Sequence, residues 1–155
     1  MSKVILVACV SKKLDHAAPA AELYRSPWFR KARRYAELTG GRWSILSAKY
    51  GLVTPDEVIE PYDATLRRAP VHERRRWAQR VVEQLTPLID PAQDEIVVLA
   101  GKAYRETMVA RLVDLGYVVS VPMEGLGIGQ QLRWLNRAIE ELRNRTTARQ
   151  AQAKG

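Results

Sequence analysis

Four short apolar runs along the chain predict β-strands. They are rich in Val, Ile and Leu and do not alternate cleanly with polar residues, which is typical of strands covered on both faces. The runs are KVILVAC (Lys3–Cys9), WSILSA (Trp43–Ala48), EIVVLA (Glu95–Ala100) and YVVSV (Tyr117–Val121). We therefore expect a sheet that lies between two layers of other structure.

Helical periodicity fills the segments between these runs. In the first such segment, Ser26 is a candidate N-cap, Pro27 follows it at the first helical position, and Gly40 comes directly after the predicted end. The later segments carry apolar residues at helical spacing. The predicted helices are Pro27–Leu38, Val71–Leu85, Tyr104–Leu115 and Ile128–Arg143.

The alternation of strands and helices predicts an α/β fold. Such an order favours a parallel sheet with right-handed crossovers and helices on both faces. We expect a single-domain three-layer α/β/α sandwich with a mainly parallel four-stranded sheet, of Rossmann-like type, over residues 1–145. Residues 146–155 lack an apolar stripe and are predicted to form a flexible basic tail.

The composition narrows the classes of function. A single cysteine allows no intrachain disulfide, and two histidines leave little material for a metal site, so no metal and no cofactor are expected. No stretch approaches the roughly 20 apolar residues of a membrane span. The N-terminal apolar run is also too short for a secretory signal. These features predict a cytoplasmic protein without a membrane partner.

The charge of the chain favours a polyanionic partner. The formal net charge is +8 at pH 7, and residues 67–80 (RRAPVHERRRWAQR) hold six arginines. A clustered basic surface is the electrostatic footprint of a nucleic-acid-binding protein. The alternative is that the cluster is only a solvated helix face.

Polar sequence follows the end of every predicted strand. The segments are CVSKKLD, SAKYGLV, AGKAYRE and PMEGLGIGQQ. In a parallel sheet the carboxyl ends of all strands lie at one edge, which is where ligands bind in open α/β sheets. We therefore expect these segments to form one shared site, provided that the sheet is parallel.

Three alternate glycines precede the fourth predicted helix. Gly125, Gly127 and Gly129 follow Glu124 directly, and successive amides at a helix N-terminus can hold a phosphate. The spacing is neither that of a Walker A loop nor that of a dinucleotide-binding fingerprint, so it does not predict a nucleotide cofactor. The alternative is a tight turn that requires a positive φ.

Candidate reactive groups lie after the first strand and in the acidic loop TPDEVIEPYDATL. Cys9 is either a nucleophile or a small buried residue. The loop carboxylates Glu60 and Asp63 would act as a general base or stabilise a cationic transition state. The alternative for them is helix capping and hydrogen bonding within the loop.

Four segments together resemble the DUF6884 family of small bacterial, archaeal and phage domains. They are ACVSKK…APAAELYRSPWFRKARRYAE, WSILSAKYGLVTPDEVIEPYDATL, VLAGKAYRE and VPMEGLGIGQQLRWL, and the resemblance covers about Val4 to Leu135. The family itself resembles the YaaA (DUF328) proteins. The CVSKK segment with a later serine also resembles the CSxxK…S core motif of archaeosine synthase. Residues matching the DUF6884 pattern are Cys9, Ser11, Lys12, Ser26, Ser47, Lys49, Tyr50, Gly51, Glu60, Pro61, Tyr62, Asp63, Glu124 and Gly125.

The resemblance implies an α/β domain that acts on nucleic acid, with DNA favoured over RNA. We expect an enzyme that acts on a modified or ordinary nucleobase, in the first place a base glycosylase that hydrolyses an N-glycosidic bond. The predicted catalytic residues are Lys49, Asp63, Glu60 and Cys9; the predicted substrate-binding residues are Ser11, Lys12, Ser26, Ser47, Tyr50, Tyr62 and Glu124; the predicted phosphate-binding residues are Gly125, Gly127, Gly129, Arg74, Arg75 and Arg76.

Three other activities are compatible with the same residues. If Lys49 attacked C1′ and formed a Schiff base, the enzyme would be a lyase. A YaaA-like, non-enzymatic DNA-binding module would use the basic surface without a pocket. A nucleoside or nucleotide transferase would act on monomers, with weak dependence on salt.

Overall fold

The computed structural model describes residues 2–8, 12–40 and 42–154. The strands are β1 (Ser2–Ala8), β2 (Ala18–Pro19), β3 (Trp43–Ser47), β4 (Gly51–Val53), β5 (Val58–Ile59), β6 (Asp94–Leu99) and β7 (Val118–Ser120). Five of them form the central sheet, in the order β4-β3-β1-β6-β7. The other two, β2 and β5, pair as a two-stranded antiparallel ribbon.

The α/β prediction is confirmed, and the sheet is mainly parallel. The four predicted strands are β1, β3, β6 and β7, and every pairing among these four is parallel. The predicted count of four strands is wrong by one, because β4 adds to the edge as the antiparallel partner of β3. That strand has three residues directly after a turn, too few for a hydrophobic pattern to reveal.

Helices cover both faces of the sheet. They are α1 (Ala20–Leu23), α2 (Pro27–Leu38), α3 (Val71–Leu85), α4 (Lys102–Asp114) and α5 (Ile128–Lys154). Phe29 of α2 and Leu135 of α5 pack against Ile5 and Val7 on one face. Residues of α3 and α4 pack against Val4 and Leu6 on the other face. The successive residues of β1 thus point into two separate apolar cores, which explains why its sequence is apolar without alternation.

The long acidic connection contains more structure than the sequence indicates. It begins directly after β4, contains β5 and leads into a 3₁₀ turn at Leu66–Arg68. The β2–β5 ribbon pins it to the segment before α1, where the Ala20 amide donates to the Glu57 carbonyl (2.8 Å). The loop is therefore held close to the start of α1.

Helix α5 extends further than predicted. The sequence places its end at Arg143, where the apolar stripe stops, but the helix continues to Lys154 with an exposed polar surface. Because Ala, Arg and Gln are good helix formers, the helix continues beyond the last residues that pack against the core. The predicted flexibility of residues 146–155 stays a prediction. In the described part of the chain, no helix has the length and apolarity to cross a membrane.

Candidate functional site

The carboxyl ends of β1, β3, β6 and β7 lie at one edge of the sheet, called here the carboxyl edge. Between β1 and β6 the connections diverge, because β1 is followed by β3 on one side and β6 is followed by β7 on the other. Such a topological switch point leaves a crevice beyond the strand ends, where ligands bind in open α/β sheets.

A cavity of about 900 Å³ occupies this position. The N-terminal ends of α2, α4 and α5 all border it, and Ala8 at the end of β1 forms part of its floor. Its volume falls within the range of about 300–1,000 Å³ that small-molecule sites occupy. Further lining residues are Ser26, Pro27, Trp28, Arg67, Arg74, Gly101, Lys102, Ala103, Tyr104, Glu106, Ile128, Gln131 and Leu132.

Two aromatic residues are fixed in the walls of the cavity. The indole Nε1 of Trp28 donates to Oε1 of Gln131 (2.9 Å), which joins α2 to α5. Tyr104 is buried, and its ring meets Trp77 edge-on at 5.5 Å between centroids. Ile128, another lining residue, has 65% of its surface exposed, which is a high fraction for a large apolar residue. These walls suit a flat apolar group such as a heterocyclic ring.

The cavity lining also carries three cations, called here the basic wall: Arg67, Arg74 and Lys102. The Nε of Arg74 donates to the Leu66 carbonyl (2.9 Å), and one of its terminal nitrogens donates to the Arg67 carbonyl (2.9 Å). Arg74 therefore holds the 3₁₀ turn beside the cavity. Glu106 is the one carboxylate among the described lining residues.

A second cluster lies at the same edge and consists of Tyr24, Tyr50 and Tyr62, called here the tyrosine cluster. The hydroxyls of Tyr24 and Tyr62 are 2.6 Å apart, and the ring centroids of Tyr50 and Tyr62 are 5.8 Å apart. The ammonium of Lys13 lies 4.4 Å from the Tyr62 ring centroid. The cluster thus brings the SAKYGLV turn together with the acidic loop.

The predicted catalytic side chains Lys49, Glu60 and Asp63 flank this tyrosine cluster rather than line the cavity. All three are exposed, and the Lys49 ammonium lies 5.2 Å from the Tyr50 ring centroid. Lys12 is exposed as well. No contact between Lys49 and Asp63 is among those described, so their joint role stays a prediction.

Two of the predicted residues line the cavity, Ser26 and Arg74. The Ser26 hydroxyl caps α2 by accepting from the Phe29 amide (3.0 Å). Arg75 and Arg76 are exposed on α3 and do not line it. Cys9 and Ser11 lie outside the described residues, and their roles stay predictions.

Ser47 has a structural role that its sequence position does not reveal. It is fully buried, and its hydroxyl accepts from the amides of Lys49 (3.3 Å) and Tyr50 (3.0 Å). Its carbonyl accepts from the indole of Trp77 (2.8 Å). These bonds shape the turn that carries Lys49 and Tyr50.

The glycine segment before α5 forms a turn. Gly125 has a φ of +80°, while a Cβ at Gly125, Gly127 or Gly129 would meet no atom within 4 Å. The Gly127 amide donates to Oε1 of Gln130 (3.1 Å), so α5 supplies part of its own cap. Glu124 is 3.4 Å from the Arg105 guanidinium. Phosphate binding by these glycines stays a prediction.

Sequence reasoning missed most of the residues that line the cavity. AGKAYRE drew notice only as a polar strand end, although it supplies Gly101, Lys102, Tyr104 and Glu106. Nothing in the sequence singles out Trp28. Among the described residues, no three His, Cys, Asp or Glu side chains could hold a metal ion together.

Comparisons with known proteins agree on the relationship of the chain but assign no activity. Residues 4–137 match a family described as one of unknown function, DUF6884. The chain is 32% identical over 149 residues to an uncharacterized protein, YfjM, of Bacillus subtilis (strain 168), covering 91% of this chain and 97% of that protein. No solved structure matches the chain.

Proposed function

Since the chain belongs to the DUF6884 family, we propose that it is an enzyme that removes a base from nucleic acid, DNA in the first place, by hydrolysing the N-glycosidic bond. The observation that carries the proposal is the cavity at the carboxyl edge, whose lining combines aromatic and apolar side chains with the cations of the basic wall. The resemblance of the family to YaaA proteins and of CVSKK to archaeosine synthase supports the same class of substrate. A cytoplasmic location, where such a substrate is found, belongs to the proposal.

The shape of the cavity supports binding of an extruded base. An enzyme that acts on a base in a duplex must flip the nucleotide into a pocket, where the ring stacks against apolar or aromatic side chains. Trp28, Tyr104 and Leu132 supply such surfaces here. A protein that only held the phosphate backbone would need no cavity of this size.

The surroundings of the cavity support binding of the flanking chain. Arg75 and Arg76 are exposed on α3, next in sequence to the lining residue Arg74. The N-terminus of α3 lies toward the carboxyl edge, because Arg74 near its start reaches the cavity. Phosphates on either side of a flipped nucleotide would meet these cations.

The reaction needs a carboxylate near the sugar. Water adds to C1′ as the C1′–N bond breaks, the electron pair leaves with the base nitrogen, and that nitrogen takes up a proton. A carboxylate accepts the proton of the water and stabilises the positive charge that develops on the sugar. Glu106 lines the cavity and is proposed for this role, with Asp63 and Glu60 of the neighbouring loop as the candidates from sequence.

The test is release of free base from nucleic acid. Purified full-length protein is incubated with DNA and RNA, including substrates with modified bases, and released bases are identified by mass spectrometry. Variants Glu106→Gln, Asp63→Asn and Lys49→Met run alongside, with Glu141→Gln on the exposed surface of α5 as the matched control. We expect release by the wild type and the control, and a loss of at least about 100-fold in one carboxylate variant.

A different pattern would contradict the proposal. Tight, salt-sensitive binding with no base released from any substrate would indicate a DNA-binding module instead. Release that survives in all three variants would remove these residues from the mechanism and leave the reaction standing.

A further inference from the structure

The basic wall of the cavity is built from three separate parts of the chain. Arg67 lies in the 3₁₀ turn, Arg74 in α3 and Lys102 at the first position of α4. Residues so far apart in sequence meet at one wall only because the fold brings them there. A solvated helix face would explain a run of arginines on α3, but it does not explain their convergence with Lys102.

The three cations differ in how far they are already engaged. Arg74 uses two of its nitrogens on the carbonyls of Leu66 and Arg67, which fixes the turn that carries Arg67. For the side chains of Arg67 and Lys102, no hydrogen bond or ion pair is found among the described residues. Arg74 is thus a positioning residue, and Arg67 and Lys102 retain donors for a ligand.

The backbone at the start of α4 adds to the same wall. Gly101 is the N-cap of α4 and gives no side-chain cap, and a Cβ there would meet nothing within 4 Å. The amides of Lys102 and Ala103 therefore gain no acceptor from the N-cap side chain, and both residues line the cavity. The positive end of the helix dipole reinforces the basic wall at this point.

The charge of the lining is unbalanced. Three cations against the single carboxylate of Glu106 leave a formal charge of +2. No ion pair joins Glu106 to any of the three in the described part of the chain. A ligand with an anionic group at the basic wall and a flat apolar group against Trp28 would complement both halves of the cavity.

We propose that the basic wall, through Arg67 and Lys102, binds the phosphate of the same nucleotide whose base lies in the cavity. The inference rests on the proposed function for the base, and it adds that recognition requires a phosphate on the sugar. That phosphate is either the monoester of a free nucleotide or a diester within a nucleic acid chain, and the two share the same oxygen chemistry.

The experiment uses probes that do not depend on the identity of the base. Amide and indole NMR signals of the full chain are followed during titration with deoxyribose 5-phosphate, with deoxyribose and with the dinucleoside monophosphate TpT. The test variant is Arg67→Gln, Arg67→Lys is the conservative variant, and Arg143→Gln is the matched control, because Arg143 is an exposed arginine of α5 that does not line the cavity.

We expect the phosphorylated probes to shift the signals of Lys102 and Ala103 and to bind at least tenfold more tightly than deoxyribose. Arg67→Gln should weaken their binding about tenfold, Arg67→Lys less, and Arg143→Gln hardly at all. Dependence on Arg67 with deoxyribose 5-phosphate alone would identify a free nucleotide as the source, and with TpT alone a nucleic acid chain.

The inference is overturned if neither phosphorylated probe shifts these signals, or if Arg67→Gln and Arg143→Gln behave alike. Its failure is distinct from failure of the proposed function. If phosphate binding depends on Arg67 but no base is released, the phosphate subsite is supported and the glycosylase proposal fails. If base is released and Arg67→Gln does not change the release, the glycosylase proposal is supported and the phosphate subsite fails.

Discussion

A buried serine explains why the end of β3 carries a lysine and a tyrosine. The hydroxyl of Ser47 accepts hydrogen bonds from the amides of Lys49 and Tyr50, so the chain turns at the end of β3. Lys49 therefore reaches solvent instead of being buried. A buried charge without a partner would be costly. A serine at a strand end has the same sequence signature whether its hydroxyl faces a ligand or caps a turn, and only the fold reveals the capping.

Asp94 at the start of β6 gives a prediction about pH. The amide of Asp90 (2.8 Å) and the guanidinium of Arg42 (2.6 Å) bond its carboxylate and hold its pKa below the ordinary value of 3.8. A lowered pKa means that the native state favours the charged form. The resulting stability is complete above 3.8 and is lost as the pH falls through the lower native pKa.

We expect Asp94→Asn to lower the melting temperature near neutral pH, with a gap to wild type that closes as the pH falls below 3.8. Thermal unfolding followed by circular dichroism over a range of pH measures the gap. Asp114→Asn, at the exposed end of α4, is the control and should change little. A gap that stays constant down to the lowest pH would refute the assignment.

The hairpin between β3 and β4 depends on a glycine. Gly51 has a φ of +74°, and a Cβ there would collide with the side-chain amide oxygen of Gln84, which accepts from the Leu52 amide (2.9 Å). Gly116 has a φ of +94°, but a Cβ there would meet nothing within 4 Å. Alanine substitutions at Gly51 and Gly116 therefore separate the cost of backbone strain from the cost of a close contact with a neighbouring side chain.

Gly116→Ala is expected to cost about 1–2 kcal/mol in the free energy of unfolding, because left-handed backbone is strained with a Cβ. Gly51→Ala should cost about 0.5–1.5 kcal/mol more, because the flexible Gln84 side chain must move and give up its hydrogen bond with the Leu52 amide. Urea denaturation measures both. Equal losses for the two variants would show that the contact with Gln84 carries no weight.

Elements with a full hydrophobic period were predictable, and those without one were not. Helices α2 and α3 have the bounds that their caps and apolar stripes predict. Strand β4 was missed because it is too short to show a period, and the end of α5 because polar helix formers continue beyond the last packed turn. The hydrophobic pattern of a sequence reports which residues are buried. It therefore does not reveal helices or strands that form without a buried face.

At the scale of the whole molecule, the sequence predicts that the strand ends share one edge, but it does not reveal which residues line the cavity there. Polar segments after four strands implied a shared edge, and the parallel pairings confirm that these strands end together. The cavity itself is assembled from three helix starts and a 3₁₀ turn. Their juxtaposition depends on strand order, with β1 beside β6, which the sequence alone does not specify.

The most direct test of the account asks whether nucleic acid enters this cavity. The indole signal of Trp28, which lines it, is followed by NMR during titration with a short single-stranded oligonucleotide. Trp43, at the first position of β3 and therefore at the opposite edge of the sheet, is the internal control. We predict that the Trp28 signal shifts in step with saturation while the Trp43 signal stays in place. An unchanged Trp28 signal at saturating oligonucleotide, or the absence of any binding, would contradict the account.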